Sequence, residues 1–156
     1  MKNVKYLFAI MILACTAVLV SAQGASKPVR WSLNVKMTSA TEGEVIIKAV
    51  PSDGWHLYGL TLPKGGPKAT EVDLTGCTGV KFVGALTYAP KPTSVHDQMF
   101  DLDLTWWGTT VVFRRKFTVE NPGGQIKCTV KYMACNDQSC TPPATETLVK
   151  NISVKK

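Results

Sequence analysis

The chain has 156 residues, with 18 lysines and arginines against 11 aspartates and glutamates, a net charge of +7. The basic residues are scattered apart from Arg114, Arg115 and Lys116. The dense patch and recognisable motif of a nucleic-acid binder are missing, so the charge reads as solubility and weak steering of partners.

The N-terminus carries two lysines in MKNVKY, then the apolar run LFAIMILACTAVLV, then the small residues of VSA. That order is a secretory signal peptide, cut after Ala22. The run falls short of the roughly 20 residues that span a bilayer. A retained membrane anchor is the competing reading, against which the length of the run counts, and a lipoprotein anchored through Cys15 in ILAC is a third. Without the two leader lysines the net charge falls from +7 to +5, and residues 23–156 are enough for one domain with its own core. Export places the chain in an oxidising compartment, where disulfides persist.

The mature sequence reads as strands. Residues 29–37 alternate Val29, Trp31, Leu33, Val35 and Met37 on one face, the period of a half-buried strand. Further strands are expected at 44–50, 55–62, 69–74 and 80–88, with turns at PSDG and PKGGP. Residues 89–99, APKPTSVHDQM, read as a long polar loop of the length that often carries function. FDLDLTWW then sets Phe100, Leu102, Leu104 and Trp106 on one side, and since Trp106 and Trp107 are neighbours, one must face outward. Strands at 109–118, 125–134 and 145–154 complete the pattern. Eight or nine short strands with no helical stripe predict an all-β fold, an antiparallel sandwich.

The segment KYMACNDQSCTPP holds the chemistry. Ile126, Cys128, Val130 and Tyr132 mark the core face of the preceding strand, and Cys135 ends it. Four polar residues, Asn136 to Ser139, suit a hairpin tip that brings Cys135 and Cys140 opposite one another at a separation a disulfide can bridge. Closing so short a loop contributes only roughly 2 kcal/mol in the chain-entropy model. Pro142 and Pro143 lack amide hydrogens and keep the return path off a central strand, so Cys140 stays accessible. With no helix N-terminus to lower its pKa, the thiol should be an ordinary one, attacked by a more reactive partner thiolate. The alternative is an inert hairpin clip in a binding or structural domain. For zinc, Cys135, Cys140, His56 and His96 would have to converge, but a second local ligand pair is missing, and no metal is assigned.

YMACNDQSCTPP, with GWHLYG at 54–59 and HDQMFDLDLTWW at 96–107, resembles the N-terminal periplasmic domain family of the thiol:disulfide interchange protein DsbD, also called the disulfide bond corrector family. The likeness spans nearly all of residues 23–156. It implies an immunoglobulin-like fold with an active-site cap loop, and thiol–disulfide exchange without a cofactor. It also implies an electron donor in the thioredoxin-like domain of a membrane-bound reductase, and thioredoxin-fold acceptors in the periplasm. Residue by residue, Cys135 and Cys140 match the redox pair, His56 and Tyr58 two aromatic neighbours, and Asp97 to Phe100 the cap. Phe100 is the first choice for the shielding side chain and Met99 the second. The sequence departs from the family in three ways. It has four residues rather than five between the cysteines, its cap is one residue longer, and His56 stands where tyrosine is usual. An imidazolium there would favour thiolate. The module is expected to stand alone, without the family's transmembrane segments or thioredoxin-like domain, which puts its electron donor on another polypeptide.

Cys77 and Cys128 remain. Cys128 lies about 23 Å along the strand from Cys135 and on the opposite face, so those two cannot pair. Cys128 is either a small buried hydrophobe or half of a structural disulfide with Cys77. Neither is given a catalytic role.

Overall fold

A computed structural model describes residues 27–152. The expected signal peptide, the lipidation alternative at Cys15 and the start of the mature chain lie outside them. All regular structure among the described residues is β: β1 (Val29–Met37), β2 (Glu42–Pro51), β3 (His56–Tyr58), β4 (Glu71–Asp73), β5 (Val80–Ala89), β6 (Thr93–Asp97), β7 (Leu102–Trp107), β8 (Val111–Val119), β9 (Gln125–Tyr132), β10 (Ala134–Cys135) and β11 (Ala144–Asn151). Every pairing is antiparallel. The strands form an immunoglobulin-like sandwich of three sheets ordered β1-β2-β8-β5, β10-β3-β7-β6 and β11-β9-β4. None of the described residues forms a helix long and apolar enough to cross a membrane.

The alternation seen in the sequence accounts for the core. In β2, Val45, Ile47 and Ala49 are fully buried while Glu44, Ile46 and Lys48 face away from the core. In β8, Val111, Phe113 and Phe117 point inward, and Arg114 turns outward to pair with Glu44 at 2.8 Å. β9 contributes Ile126, Cys128, Val130 and Tyr132, the face expected from its alternation. Trp31 and Trp107 close the core against Phe113, with ring centroids 6.1 and 5.6 Å away. Burying aromatic and aliphatic side chains on this scale is the main source of stability in such a domain.

Three expectations need correction. Residues 89–99 do not form one loop: 93–97 make the edge strand β6, paired with β7 from Thr93↔Trp106 to Asp97↔Leu102. Its polarity follows from its place on a sheet edge, where most of its side chains meet solvent. The strand expected over 55–62 stops at Tyr58. A Cβ at Gly59 would collide with the Oγ1 of Thr105, so glycine is required where the chain leaves the sheet against β7. Finally, neither Trp106 nor Trp107 faces open solvent, because β7 is covered on both sides. Trp107 is 2% exposed in the main core, and Trp106 packs into a second, smaller cluster on the other face.

Candidate functional site: a disulfide beneath a hairpin cap

The second cluster lies around the cysteine pair. Its buried members are Tyr58, Leu104 and Cys135, ringed by Leu62, Phe100, Leu102, Trp106, Met133 and Cys140. Register explains the grouping. β3 pairs with β10 as Leu57↔Ala134 and His56↔Cys135, and with β7 as Leu57↔Trp107 and Tyr58↔Trp106. Leu57, Ala134 and Trp107 therefore enter the main core, while the alternate residues turn to the opposite face.

Cys135 and Cys140 are joined in a disulfide, with Cα atoms 4.0 Å apart across an antiparallel bridge. Asn136 shapes the tip. Its Oδ1 accepts from the amides of Gln138 (3.0 Å) and Ser139 (2.8 Å), and its own amide donates to the Ser139 carbonyl (2.9 Å). The return path is fixed by Thr141, whose amide donates to the Ala134 carbonyl at 2.8 Å. Cys135 is 1% exposed, whereas Cys140 is half-buried. The two cysteines thus differ in access, Cys140 being the more exposed.

The cap is the tip of the β6–β7 hairpin, residues 98–101, organised by Asp97. This buried carboxylate accepts from the amides of Met99 (2.9 Å) and Phe100 (3.2 Å) through Oδ1, and from the Tyr58 hydroxyl (3.0 Å) through Oδ2. It ties the tip to the floor of the site. Tyr58 is held in turn by Thr70, whose hydroxyl donates to the Tyr58 carbonyl at 2.6 Å. Burial and the Asp97 carboxylate both push the Tyr58 phenol well above its ordinary pKa, so it stays protonated and donating. Met99 lays its sulfur 3.3 Å from the Cys140 sulfur, although its side chain is otherwise 51% exposed. Phe100 meets Tyr58 edge-on at 6.3 Å and packs within the same cluster. Met99 and Phe100, the residues expected to shield the disulfide, both lie beside it, and the direct sulfur contact is made by Met99.

His56 stacks on Trp106 at 3.8 Å and meets Tyr58 edge-on at 5.2 Å. Burial lowers its pKa from the ordinary 6.5, outweighing the attraction of Asp97 and Asp137. The imidazole is therefore neutral at neutral pH, and the imidazolium considered from the sequence is not the resting form. His56, Tyr58, Asp97, Met99, Trp106, Cys135 and Asp137 line one cleft of about 280 Å³ beside the disulfide. His96 sits on the rim, its imidazole between Asp101 (3.2 Å) and Asp103 (3.1 Å).

Cys77 and Cys128 are free thiols, so the bridge considered between them is not made. Cys128 points into the main core, where burial raises its pKa to about 12. Cys77 lies beside the backbone of β9: its sulfur accepts from the Lys127 amide (3.3 Å) and donates to the Lys127 carbonyl (3.4 Å). The thiol satisfies an edge that β4 leaves open between the pairs Asp73↔Thr129 and Thr78↔Gln125.

The sequence reading missed Trp106 as the platform for His56, Thr70 as the clamp on Tyr58, and Asp97 as the anchor of the cap. The alternation of FDLDLTWW already put Trp106 on the face of Phe100 and Leu104. No local pattern marked Thr70.

Residues 26–151 match the family described as "Thiol:disulfide interchange protein DsbD, N-terminal". No curated protein sequence matches the chain. Among solved structures, the N-terminal periplasmic domain of ScsB from Proteus mirabilis is similar with a TM-score of 0.57 and 14% identity, over 79% of this chain and 46% of that one. The chain thus spans about half the length of that structure. The DsbD N-terminal domain of Neisseria meningitidis, in its reduced form, gives a TM-score of 0.48 and 16% identity over 73% and 85% of the two chains. A structure of the complex between the DsbD and PilB N-terminal domains of the same organism gives 0.43 and 13% over 75% and 79%.

Proposed function

The chain belongs to the N-terminal domain family of the thiol:disulfide interchange protein DsbD, and from that premise we propose that it exchanges electrons with protein partners through a reversible Cys135–Cys140 disulfide. In this reading it is a thiol–disulfide oxidoreductase of the periplasm. It is reduced by the thioredoxin-like domain of a membrane-bound reductase and reduces thioredoxin-fold acceptors. The observation that supports it best is the unequal burial of the two sulfurs at a hairpin tip, under a cap that leaves the main core untouched. Such a bond opens and closes without unfolding the sandwich. A partner thiolate attacks Cys140 and Cys135 leaves; in reverse, Cys135 attacks the mixed disulfide and releases the partner. Asp97, Met99 and Phe100 form the cap that excludes small thiols until a partner displaces it, and Tyr58 holds the cap closed through Asp97.

The direct test is reducibility in the folded state. The purified protein is equilibrated with reduced thioredoxin, its free thiols are alkylated, and the modified residues are mapped. Cys135 and Cys140 should become modified while the circular dichroism stays native. A bond that remains closed in a folded protein would leave only an inert clip. The Cys135→Ser variant, which retains Cys140, should trap a mixed disulfide with a thioredoxin-fold protein.

A further inference from the structure

His56 is the one group around the disulfide with a buried polar atom left over. Its Nε2 is enclosed and has no hydrogen-bond partner, while the charged and titratable neighbours are already engaged or exposed. Asp97, from the end of β6, receives Tyr58, Met99 and Phe100. His96 is held between Asp101 and Asp103. Asp137 lies on the exposed hairpin tip, and β7 presents only the apolar face of Trp106. His56 is the direct cross-strand partner of Cys135, a pairing that sets the two Cβ atoms about 5 Å apart on one face.

The oxidised pair gives that nitrogen nothing to bind. Reduction creates an S–H at Cys135, which is 1% exposed and lies directly across the strand pair from His56. We propose that His56 is the proton acceptor for Cys135 when the disulfide re-forms. This rests on the redox reading of the cysteine pair. In that step the Cys135 proton passes to His56 as the Cys135 sulfur bonds to the Cys140 sulfur. The bond from Cys140 to the partner's sulfur breaks, and its electron pair leaves with the partner as a thiolate. The protein dithiol is oxidised and the partner's disulfide is reduced. Asp97 and Asp137 are the counter-charges for the imidazolium formed, and the lowered basicity of the resting ring lets it return the proton readily. In the opposite direction the same imidazolium protonates the departing Cys135 thiolate.

The test separates the two halves of exchange. Reduced protein in a Cys77→Ala background is mixed with one equivalent of dithiobis-nitrobenzoate, whose thiolate is coloured. The first release reports attack by Cys140, and the second reports closure by Cys135. In His56→Gln, which keeps hydrogen-bonding capacity but cannot accept a proton, and in His56→Phe, which keeps the stack on Trp106, the first release should be unchanged. The second should slow about tenfold at neutral pH and lose an inflection that the parent shows below pH 6.5. Unchanged second-phase rates and pH profiles in both variants would overturn the assignment. So would a His56 pKa, read by NMR in the unsubstituted protein, that is the same in oxidised and reduced forms. A parent protein that never gives the second release would instead sink the redox reading, and this inference with it.

Discussion

Two apolar clusters lie on opposite faces of the sheet β10-β3-β7-β6, and they differ in kind. Among the described residues, the main core holds sixteen buried side chains drawn from all three sheets. The cluster at the disulfide holds three, surrounded by half-buried side chains and lined on one side by an open cleft. The first is continuous and carries the fold. The second has too little buried area to hold a chain together, but enough to cover a bond. Local opening is inexpensive where few buried contacts must be broken, and that is where reversible chemistry can be housed without risk to the rest. Placing Cys135 one residue beyond the inward-facing Ala134 is what assigns it to the second cluster.

The sharpest way to separate the two clusters is a cavity in the larger one. Phe113→Ala should lower unfolding free energy by about 3–5 kcal/mol, measured by urea denaturation, with no change in the rate at which dithiothreitol opens the disulfide in the folded state. A parallel rise in that rate would mean that the clusters are coupled. Replacing both cysteines, Cys135→Ala with Cys140→Ala, should cost only about 2 kcal/mol while removing exchange altogether. A loss as large as that of Phe113→Ala would make the bond a structural staple.

Met99→Ala and Phe100→Ala test the cover itself. Each should speed reduction by dithiothreitol severalfold and change stability by less than about 1 kcal/mol, since Met99 is half exposed and Phe100 lies at the edge of the small cluster. Met99→Ala should have the larger effect, because its sulfur touches that of Cys140. Equal rates for parent and variants would remove the cap from the mechanism.

The smallest effect is in pH. Burial lowers the pKa of His56 in the folded state below its ordinary 6.5, so the unfolded chain binds the proton more readily. Stability from this group is complete above pH 6.5 and falls as the pH drops from there towards the lowered folded value. His96 runs the other way: its hydrogen bond to Asp103 raises its pKa, and its small contribution is present below pH 6.5 and lost as the pH rises through the raised value. Denaturation midpoints of His56→Phe and the parent, compared between pH 7.5 and 5, should converge on the acid side.

Much of this was legible in one dimension because strands write their burial as a two-residue rhythm. Val29 to Met37, Ile126 to Tyr132 and Phe100 to Trp106 all show their faces in the sequence, and the all-β class follows. The hairpin at Cys135 and Cys140 was readable because a short polar link between two cysteines admits few geometries. The resemblance supplied the cap. Sequence rhythm did not reveal β6, since an edge strand with most side chains in water carries the polarity of a loop. Nor did it show that both faces of β7 are covered, which depends on what packs above and below.

By itself, then, the sequence determined the strand pattern, the inward faces and the closeness of Cys135 to Cys140, because each depends on neighbours a few residues apart. Only the tertiary structure decided that Cys135 is enclosed while Cys140 is reachable, that Asp97 joins the cap to Tyr58, that His56 rests neutral on Trp106, and that Cys77 and Cys128 stay thiols. Those outcomes depend on residues tens of positions apart in the chain, brought together by strand register and desolvation, and no local pattern encodes either.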